Sequence, residues 1–302
     1  MVSRQITKIL KLSQFPLNDV DFVLYHKKCP DGFGSAFVSW LTLGNRAKYI
    51  ARYPNDFNFP NKLRNKNVLI VDINFPKNIV DKLRTYTRNL LIIDHHQTYY
   101  DEHLGQDYII QDKGYSAIYL TWKTFFPNQP IPKFTKYIQD HDILSQRFKN
   151  TEPFMLAFYV NYERNNPSDF PSWKKLFNDK EIDRLVVAGN YMNQYKNYLL
   201  LRNKHIVYER KWGKYKIGMV NYEMVGLTSD MGNYLSETKP HLDFILLWSF
   251  HYQNKENSVV LRTRKKGIDV SEVAKKFGGG GHPGAARFVW KGHMQKLFHR
   301  NP

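Results

Sequence analysis

Short apolar runs alternate with stretches of helical periodicity along the first half of the chain. The runs "DFVLYH" (21–26), "NVLIVDI" (67–73) and "NLLIIDHH" (89–96) are continuous, whereas "GSAFVSWLTLG" and "NIVDKLRTY" between them follow a helical pattern. Continuous apolar strands separated by helices are typical of a parallel sheet with both faces covered. The pattern predicts an α/β N-terminal domain over residues 1–178, with helices on both faces of a parallel sheet.

The pattern changes in the second half. Residues 179–205 repeat apolar side chains at intervals of three and four, which predicts one long connecting helix. Residues 206–302 contain the strand-like runs "YKIGMVNY", "DFILLWSFHYQ" and "SVVLRTRK", preceded by "HIVYERKW", with one helix near 228–237. We therefore predict a smaller α/β C-terminal domain. The polar, turn-rich stretch 161–178 indicates a surface excursion or an approach to the domain boundary.

Composition and charge narrow the class of protein. The 302 residues suffice for two cores, and a single cysteine excludes an internal disulfide framework, as expected for a cytoplasmic protein. The 45 Lys and Arg against 27 Asp and Glu give a formal charge of +18, which favours a polyanionic partner, although nucleotide bias of the source genome is an alternative explanation. No apolar run approaches the ~18 residues of a membrane span. The acid-free segment 1–18 fits an organellar transit peptide or an ordinary first helix, and we favour the helix.

Ionisable residues follow the predicted strands of the first domain and end a later helical segment. They are His26, Asp31, Asp72, Asp94, His95, His96, Asp140 and Asp142. Ligands of parallel sheets bind at the carboxyl ends of the strands. An Asp after a strand is more often the cap of the next helix, but the recurrence of such residues at several strand ends indicates a metal site. Imidazole with carboxylates suits Mn²⁺ or a similar cation, and two ions ~3.5–4 Å apart are the usual clamp for phosphoester hydrolysis.

In these motifs the sequence resembles the DHH phosphoesterases, a family that includes RecJ-like exonucleases, short-oligonucleotide RNases and cyclic-dinucleotide phosphodiesterases. "HKKCPDGFGSA" (26–36), "VLIVDINFP", "LLIIDHHQT" and "YIQDHDIL" are similar to four motifs of the catalytic domain. "VVLRTRKKGIDVSEVAKKFGGGGHPGAARF" (259–288) is similar to the signature of the DHH-associated C-terminal domain. The resemblance spans residues 21 to about 290.

The resemblance implies a set of metal ligands and two further roles. The implied ligands are His26, Asp31, Asp72, His95 and one acid of the pair Asp140 and Asp142, of which we favour Asp142. Asp72 would bridge two Mn²⁺ ions, with Mg²⁺ or a softer divalent cation as the alternative. Asp94 would support its neighbouring histidine, and His96 would face the scissile phosphate.

The glycine run before His282 is a candidate anion site. Successive glycines let the backbone approach an anion closely, although a flexible surface loop is the commoner explanation of such a run. Because "LRTRKK" lies nearby, we predict a pocket for a terminal phosphate. The resemblance implies that the substrate binders are Arg262, Gly279, Gly280, Gly281 and His282. Arg287 departs from the family pattern of a small residue, and it either adds a phosphate contact or points to solvent.

Cys29 stands in the first of these motifs and has two interpretations. RecJ-like relatives carry Asp-x-Asp-Gly there, so Cys29 replaces the first acid if Asp31 is the second. In the other register Asp31 is the first acid and Phe33 replaces the second. A thiolate ligand would favour Zn²⁺ or another softer ion over Mn²⁺. Because a lone cysteine is most often a small buried hydrophobic residue, we favour the interpretation in which Cys29 is not a ligand.

Together these features predict a phosphodiesterase that uses a metal-activated water to hydrolyse short RNA or DNA oligonucleotides or linear dinucleotides from an end. Either a monomer or a homodimer fits the sequence. One alternative is hydrolysis of cyclic dinucleotides or of a 3′-phosphorylated nucleotide such as pAp. An alternative of another class is a catalytically weak protein that binds nucleic acid or a nucleotide.

Overall fold

The computed structural model describes residues 2–54, 56–162, 166–203, 207–222 and 227–302. The chain divides into two compact units, Met1–Asn193 and Gln194–Pro302. The division falls within the segment predicted as the connecting helix. Among the helices of the described ranges, none is both long and apolar enough to cross a membrane.

The first unit contains a five-stranded sheet in which all neighbouring strands are parallel. Its strands are β1 (Phe22–His26), β2 (Lys48–Arg52), β3 (Asn67–Val71), β4 (Asn89–Asp94) and β5 (Ile109–Gln111). Their order across the sheet is β2-β1-β3-β4-β5. The carboxyl ends of all five strands therefore lie at one edge.

Successive side chains of each strand enter two separate cores, one on each face of the sheet. In β1, Val23 and Tyr25 join one core, whereas Phe22 and Leu24 join the other. Because both faces are buried, the strands need apolar residues at every position, which explains their continuous apolar runs. The predicted α/β class with a covered parallel sheet is confirmed.

Helices cover both faces of this sheet. They are α1 (Val2–Ser13), α2 (Pro30–Leu43), α3 (Lys77–Tyr86), α4 (Ala117–Phe125), α5 (Lys133–Asp142), α6 (Thr151–Tyr162), α7 (Phe170–Trp173) and α8 (Asp179–Asn203). Side chains of α3 enter the core that contains Leu24, and those of α2, α4, α5 and α6 enter the core that contains Tyr25. Residues 204 and 205 of the predicted connecting helix lie outside the described residues.

Four elements of the first unit are absent from the sequence prediction. They are β2, β5, α6 and α7. Strand β2 is an edge strand with only one buried residue, and β5 has three residues, so neither produces a long apolar run. Within the stretch 161–178, of which 163–165 lie outside the described residues, Phe170 and Trp173 are buried in the core. This stretch is therefore not simply a surface excursion.

The second unit is a six-stranded mixed sheet with three complete helices in the described ranges, and it also contains the end of α8 from Gln194. Its elements are β6 (Tyr208–Trp212), β7 (Tyr215–Asn221), α9 (Thr228–Thr238), β8 (Phe244–His251), β9 (Glu256–Arg262), α10 (Val270–Lys275), β10 (Gly280–His282), β11 (Ala285–Trp290) and α11 (Met294–Leu297). The order is β10-β11-β9-β8-β7-β6, and only β7 and β8 are parallel among these pairs. The predicted smaller α/β domain is confirmed, whereas residues 205 and 206 of its first predicted strand lie outside the described residues.

Candidate metal centre

Three neighbouring strands end in predicted metal-site residues at the same edge of the parallel sheet. His26 is the last residue of β1, Asp72 directly follows β3, and Asp94 is the last residue of β4. Because β3 pairs with both β1 and β4 in parallel, these three ends are adjacent. His95 and His96 follow at the end of β4 and extend the same cluster.

Asp72 lies at the centre of the cluster and is fully buried. Its φ of 59° is a left-handed conformation that Asp adopts more readily than most residues. Asp72 Oδ2 lies 3.3 Å from His26 Nδ1, and Asp72 Oδ1 lies 3.4 Å from His95 Nε2. Neither carboxylate oxygen has a hydrogen-bond partner among the described residues. The carboxylate is thus held between two imidazoles with both oxygens available to a cation.

Asp31 reaches the cluster from the first turn of α2. This turn packs directly on the end of β1, because a Cβ on Gly32 would lie only 2.6 Å from His26 O. Asp31 Oδ2 accepts the N–H of Ala117 at 2.7 Å, and Asp31 Oδ1 accepts the N–H of Ile118 at 2.9 Å. Both donors belong to the first turn of α4, where the helix dipole also favours a negative charge. These contacts hold a fully buried carboxylate in one position.

His95 Nε2 faces three carboxylates at once. It lies 3.1 Å from Asp142 Oδ2, 3.4 Å from Asp72 Oδ1 and 3.6 Å from Asp31 Oδ2. Within the described part of the chain, both His95 Nε2 and Asp142 Oδ2 are buried without a hydrogen-bond partner. The structure therefore brings Asp142, on the last turn of α5, together with the residues of the strand ends.

Asp140 is not brought to this cluster. Its carboxylate accepts hydrogen bonds from Ser145 Oγ, Thr151 Oγ1 and the backbone N–H groups of Arg147 and Phe148. These four bonds fasten the loop between α5 and α6. Asp140 therefore acts in the structure as an anchor of this loop, and Asp142 is the acid of the pair that faces the imidazoles.

The family resemblance implies that Asp94 supports its sequence neighbour His95, but in the structure its carboxylate contacts His96. His96 Nδ1 lies 2.8 Å from Asp94 Oδ1, and the backbone N–H of His96 donates to Asp94 Oδ2 at 3.2 Å. Burial alone would lower the pKa of His96, but the bond to Asp94 raises it to about 9. The ring is 40% exposed and is oriented by Asp94, whose carboxylate favours its protonated form.

Cys29 precedes the first residue of α2 and joins one side of the cluster. Its Sγ, His26 Nδ1 and a carboxylate oxygen of Asp72 all lie within 4.8 Å of one another. Burial raises the pKa of the Cys29 thiol, and the charges of Asp72 and Asp31 raise it further. Without a cation nearby, the thiol is protonated.

The carboxylates of the cluster repel one another. Burial and then the neighbouring Asp72 raise the pKa of Asp31 well above its usual range and that of Asp142 to about 6. Burial would also raise the pKa of Asp72, but the imidazoles of His26 and His95 hold it below its ordinary value. Burial would lower the pKa of His95, but Asp72 and Asp31 raise it to about 10. The cluster thus retains protons in place of the positive charge that its carboxylates require.

These residues fit a divalent metal ion by two tests. Three overlapping groups place their ligand atoms within 4.8 Å of one another, namely His26–Cys29–Asp72, Asp72–His95–His96 and Asp31–His95–Asp142. Several of the same atoms are buried without a hydrogen-bond partner in the described ranges, namely His26 Nδ1, Asp72 Oδ1, Asp72 Oδ2, His95 Nε2 and Asp142 Oδ2. Unpartnered buried polar atoms are costly unless something binds them. Nitrogen and oxygen donors of this kind are ligands of Mn²⁺, Zn²⁺ and similar cations.

In the second unit, Arg262 and His282 lie on one face of the sheet. Arg262 ends β9 and pairs with Ala285 of β11, which in turn pairs with His282 of β10. Opposite residues of antiparallel strands share a face, so these side chains form one row. Arg262 Nη2 donates to Ser229 Oγ of α9 at 2.7 Å. Gly280 and Arg287 form the next row of the same face, and Arg287 is exposed.

The predicted substrate-binding glycines differ in whether a side chain would fit at their positions. A Cβ on Gly279 would collide with the carbonyl oxygen of Arg287, and a Cβ on Gly281 would collide with that of Ala285. A Cβ on Gly280 would meet nothing within 4 Å. Gly279 and Gly281 are therefore required by the close packing of β10 on β11, whereas Gly280 faces open space. The segment forms a short strand and not a flexible loop.

A cavity beside His96 has no counterpart in the sequence prediction. It has a volume of about 280 Å³, and its lining includes Phe57, Ile73, Asn74 and Tyr99 as well as His96. Phe57 and Tyr99 belong to separate loops, one after β2 and one after β4, so no local sequence pattern connects them. The sequence contains one indication of this cavity, which is that each of the two turn-rich loops contains an aromatic residue.

Relatives of this chain exist among both sequences and solved structures, although no protein-family model matches it. The uncharacterized protein R106 of Acanthamoeba polyphaga mimivirus is 31% identical over 300 residues, which cover 93% of this chain and 70% of that protein. The oligoribonuclease NrnB of Bacillus subtilis is 26% identical over 305 residues, which cover 91% of this chain and 74% of that protein.

Two solved structures share the fold at 12% identity. The pGpG-specific phosphodiesterase PggH of Vibrio cholerae has a TM-score of 0.57 over 93% of this chain and 95% of that chain. A DHH domain from a member of a family of ribosomal proteins has a TM-score of 0.56 over 99% of this chain and 89% of that chain.

The covered parallel sheet with the histidine–aspartate cluster at its edge and the separate mixed sheet define a two-unit α/β protein with a candidate metal site. With these relatives and the ordered motifs, the chain belongs to the DHH family of phosphoesterases.

Proposed function

We propose that the protein is a divalent-metal-dependent phosphodiesterase that hydrolyses short oligonucleotides or linear dinucleotides from an end. The observation that carries the proposal is the convergence of buried, unpartnered imidazole and carboxylate atoms at the edge of the parallel sheet. The oligoribonuclease named among its relatives supports the substrate class. The formal charge of +18 also favours a polyanion.

The metal ligands in this proposal are His26, Asp31, Asp72, His95 and Asp142. Asp72 would serve the groups on both sides of it, because its Oδ2 lies 3.3 Å from His26 Nδ1 and its Oδ1 lies 3.4 Å from His95 Nε2. Mn²⁺ suits a set of imidazoles and carboxylates, with Mg²⁺ as the alternative. When bound, the cations supply an activated water and neutralise the phosphate oxygens.

In addition to the metal ligands, the chain contributes one catalytic residue, His96. Asp94 orients its ring through the contact at Nδ1 and favours the protonated form, so the ring would offer an N–H donor to a phosphate oxygen. Asp94 contacts His96 and acts as a positioning residue. Its two hydrogen bonds to His96 restrict both the ring and the backbone of that residue.

The second unit is proposed to bind the terminal phosphate of the substrate. Arg262, His282 and the exposed Arg287 lie on one face of its sheet, so this face concentrates hydrogen-bond donors and positive charge. Gly280 on the same face lets the backbone approach an anion, since nothing occupies the space around it. Gly279 and Gly281 contribute by allowing β10 to pack closely on β11.

The cavity beside His96 supports a nucleotide substrate over an inorganic phosphate. A volume of about 280 Å³ with aromatic walls suits a planar base, and stacking on an aromatic ring tolerates any base. Phe57 is 45% exposed, so one side of its ring is available for stacking. Arg52 fixes its loop by donating to Asn58 O at 2.6 Å and to Asp56 O at 3.0 Å.

The test of this proposal is a substrate panel with purified protein and Mn²⁺. Labelled oligoribonucleotides from dinucleotide to pentanucleotide are expected to yield mononucleotides progressively from one end, and Asp72→Asn is expected to abolish the reaction. The panel includes pGpG, which is the substrate named for the structurally similar V. cholerae enzyme. Intact oligonucleotides after prolonged incubation with the metal-loaded protein would contradict the proposal.

Cyclic dinucleotides and pAp belong in the same panel, because both present a phosphoester to the same cluster. Higher rates on either would redirect the substrate assignment without changing the class of reaction. A catalytically weak binding protein is the competing proposal of another class. It is favoured if elemental analysis finds less than one divalent ion per chain while oligonucleotide binding is retained.

A further inference from the structure

Cys29, the only cysteine of the chain, lies in the metal cluster. Its Sγ forms a group with His26 Nδ1 and an oxygen of Asp72, in which all atoms lie within 4.8 Å of one another. A nitrogen, a sulfur and an oxygen this close to one another are candidate ligands of a single cation.

Independent evidence that a cation belongs there comes from the partners of Cys29. The side chain of Asp72 is only 1% exposed, and neither of its oxygens has a hydrogen-bond partner in the described part of the chain. His26 Nδ1 is buried and unpartnered in the same way. Two polar side chains thus direct unsatisfied buried atoms at the space that the thiol also borders.

The backbone holds Cys29 in this position. Cys29 is the residue that caps α2, with an extended conformation at φ −121° and ψ 125°, and Pro30 occupies the first helical position. Gly32 packs on His26, so the start of α2 is in close contact with the end of β1. Cys29 therefore cannot move away from His26 unless the whole helix moves. The sulfur is therefore preorganised beside His26.

The two ends of the cluster differ in ligand chemistry. The group that contains Cys29 offers one imidazole, one sulfur and one carboxylate, whereas the group at the other end offers His95 with the carboxylates of Asp31 and Asp142. Sulfur ligands select softer cations, and carboxylates suit Mn²⁺ and Mg²⁺. The two metal positions of the cluster are therefore expected to prefer different cations.

We propose that Cys29 is a thiolate ligand of one metal position, where with His26 and Asp72 it selects a thiophilic divalent cation such as Zn²⁺, Co²⁺ or Cd²⁺. The other position, with His95, Asp31 and Asp142, takes a harder cation. The inference rests on the proposed function only in requiring that the cluster binds metal. Binding at the first position releases the thiol proton to solvent as the metal–sulfur bond forms.

Titration of the metal-free protein with Co²⁺ tests the assignment by spectroscopy. A thiolate bound to Co²⁺ gives a charge-transfer band in the near ultraviolet, and since the chain has one cysteine, the band reports on Cys29 alone. We expect the band to saturate at one Co²⁺ per chain. The band is expected to disappear in Cys29→Ser and to persist in the matched variant Asp142→Asn, which alters the other position.

A second measurement addresses metal selectivity. Cys29→Asp replaces sulfur by oxygen, so the ratio of dissociation constants for Mn²⁺ and Zn²⁺ is expected to shift about tenfold or more in favour of Mn²⁺. This comparison needs only equilibrium binding, so it is independent of activity.

The outcomes separate this inference from the proposed function. Co²⁺ binding without the band, together with an unchanged Mn²⁺ to Zn²⁺ ratio in Cys29→Asp, would overturn the role of Cys29 and leave metal dependence intact. Failure of every divalent cation to bind would overturn both. Oligonucleotide hydrolysis has no part in the readout, so a different substrate would overturn the proposed function alone.

Discussion

Asp140 and Asp142 are two residues apart on the last turn of α5, yet their carboxylates have unrelated surroundings. Asp142 Oδ2 lies 3.1 Å from His95 Nε2, whereas Asp140 accepts four hydrogen bonds from residues 145–151. Residues two apart on a helix are separated by about 200° around its axis, so one acid faces the cluster and the other faces the loop that follows. The same residue type therefore has a different role at each position.

This difference predicts opposite phenotypes for the two alanine variants. Asp140→Ala removes charge-assisted hydrogen bonds that hold the largely exposed loop between α5 and α6, and it is expected to lower the free energy of unfolding by about 2 kcal/mol. Asp142→Ala is expected to leave stability of the metal-free protein nearly unchanged and to weaken metal binding. Urea unfolding and calorimetric Mn²⁺ titration of both variants measure the two effects. Equal loss of stability in both would contradict the assignment.

A second prediction concerns the repulsion around Asp72. Asp72→Asn removes one buried carboxylate and retains a residue type that tolerates a φ of 59°, so the variant is expected to fold. In the wild type, Mn²⁺ at about 100 times its Kd is expected to raise Tm by roughly 5 °C or more. The variant is expected to lose this rise. Thermal unfolding with and without Mn²⁺ checks the prediction, which fails if the metal raises both Tm values equally.

A third prediction uses neighbouring glycines as matched variants. Gly279→Ala would drive a Cβ into the carbonyl oxygen of Arg287 and is expected to disrupt the β10–β11 edge. Gly280→Ala meets nothing within 4 Å and is expected to change stability by less than about 0.5 kcal/mol. If the backbone at Gly280 approaches a substrate phosphate, its variant raises KM without unfolding. Circular dichroism and steady-state kinetics distinguish the two effects, and an unchanged KM in Gly280→Ala would remove Gly280 from the binding site.

A fourth prediction concerns acid stability and lies outside the metal cluster. Burial would raise the pKa of Asp243, but hydrogen bonds from Lys265 Nζ at 2.7 Å and the Lys216 N–H at 2.8 Å hold it below its ordinary value. Because the unfolded state then binds the proton more readily, the contribution of Asp243 is present above about pH 4 and is lost as the pH falls further. Asp243→Ala is therefore expected to be less stable than wild type at pH 7, and the difference is expected to narrow at pH 3. Urea unfolding at both values measures it, and a difference independent of pH would contradict the prediction.

The fifth prediction tests the cavity beside His96. Phe57→Ala is expected to raise KM for short oligonucleotides about tenfold, because stacking of a base on an aromatic ring is worth about 1–3 kcal/mol. Phe250→Ala is the control, since Phe250 is similarly exposed (47% against 45%) but lies on β8 of the second unit. A substrate with an abasic residue at the cleaved end is expected to be insensitive to Phe57→Ala. Equal effects of both variants would exclude a specific contact at Phe57.

The fold class was predictable from sequence because parallel strands that are buried on both faces have continuous apolar runs. β1, β3 and β4 need apolar residues on both faces, and each is followed by a polar residue where the chain leaves the sheet. The edge strand β2 and the three-residue β5 carry no such requirement, so their pattern is too weak to read. The strand β10 has no apolar pattern, because two of its three residues are glycines, and Gly281 allows it to pack closely on β11.

The residues around His95 were identified by sequence because they occupy chemically distinctive positions at strand ends. The family resemblance favoured Asp142 over Asp140, but the residues alone do not separate them, since both have the same side chain in the same segment. Which acid faces the cluster depends on the rotation of α5 about its axis. It also depends on the position of the segment from Ser145 to Thr151, whose side chains bond Asp140 in the folded structure. The support of His96 by Asp94, across two residues, likewise appears only once the turn after β4 has a defined shape.

Local periodicity and residue chemistry were enough to predict the parallel sheet, the order of the motifs and the kinds of ligand available. Which of those ligand atoms converge was set by the packing of whole elements. The thiol of Cys29 meets His26 and Asp72 because α2 begins against the end of β1 at Gly32, a contact that involves an entire helix. Distances between side chains from separate elements depend on that packing, and no local pattern encodes them.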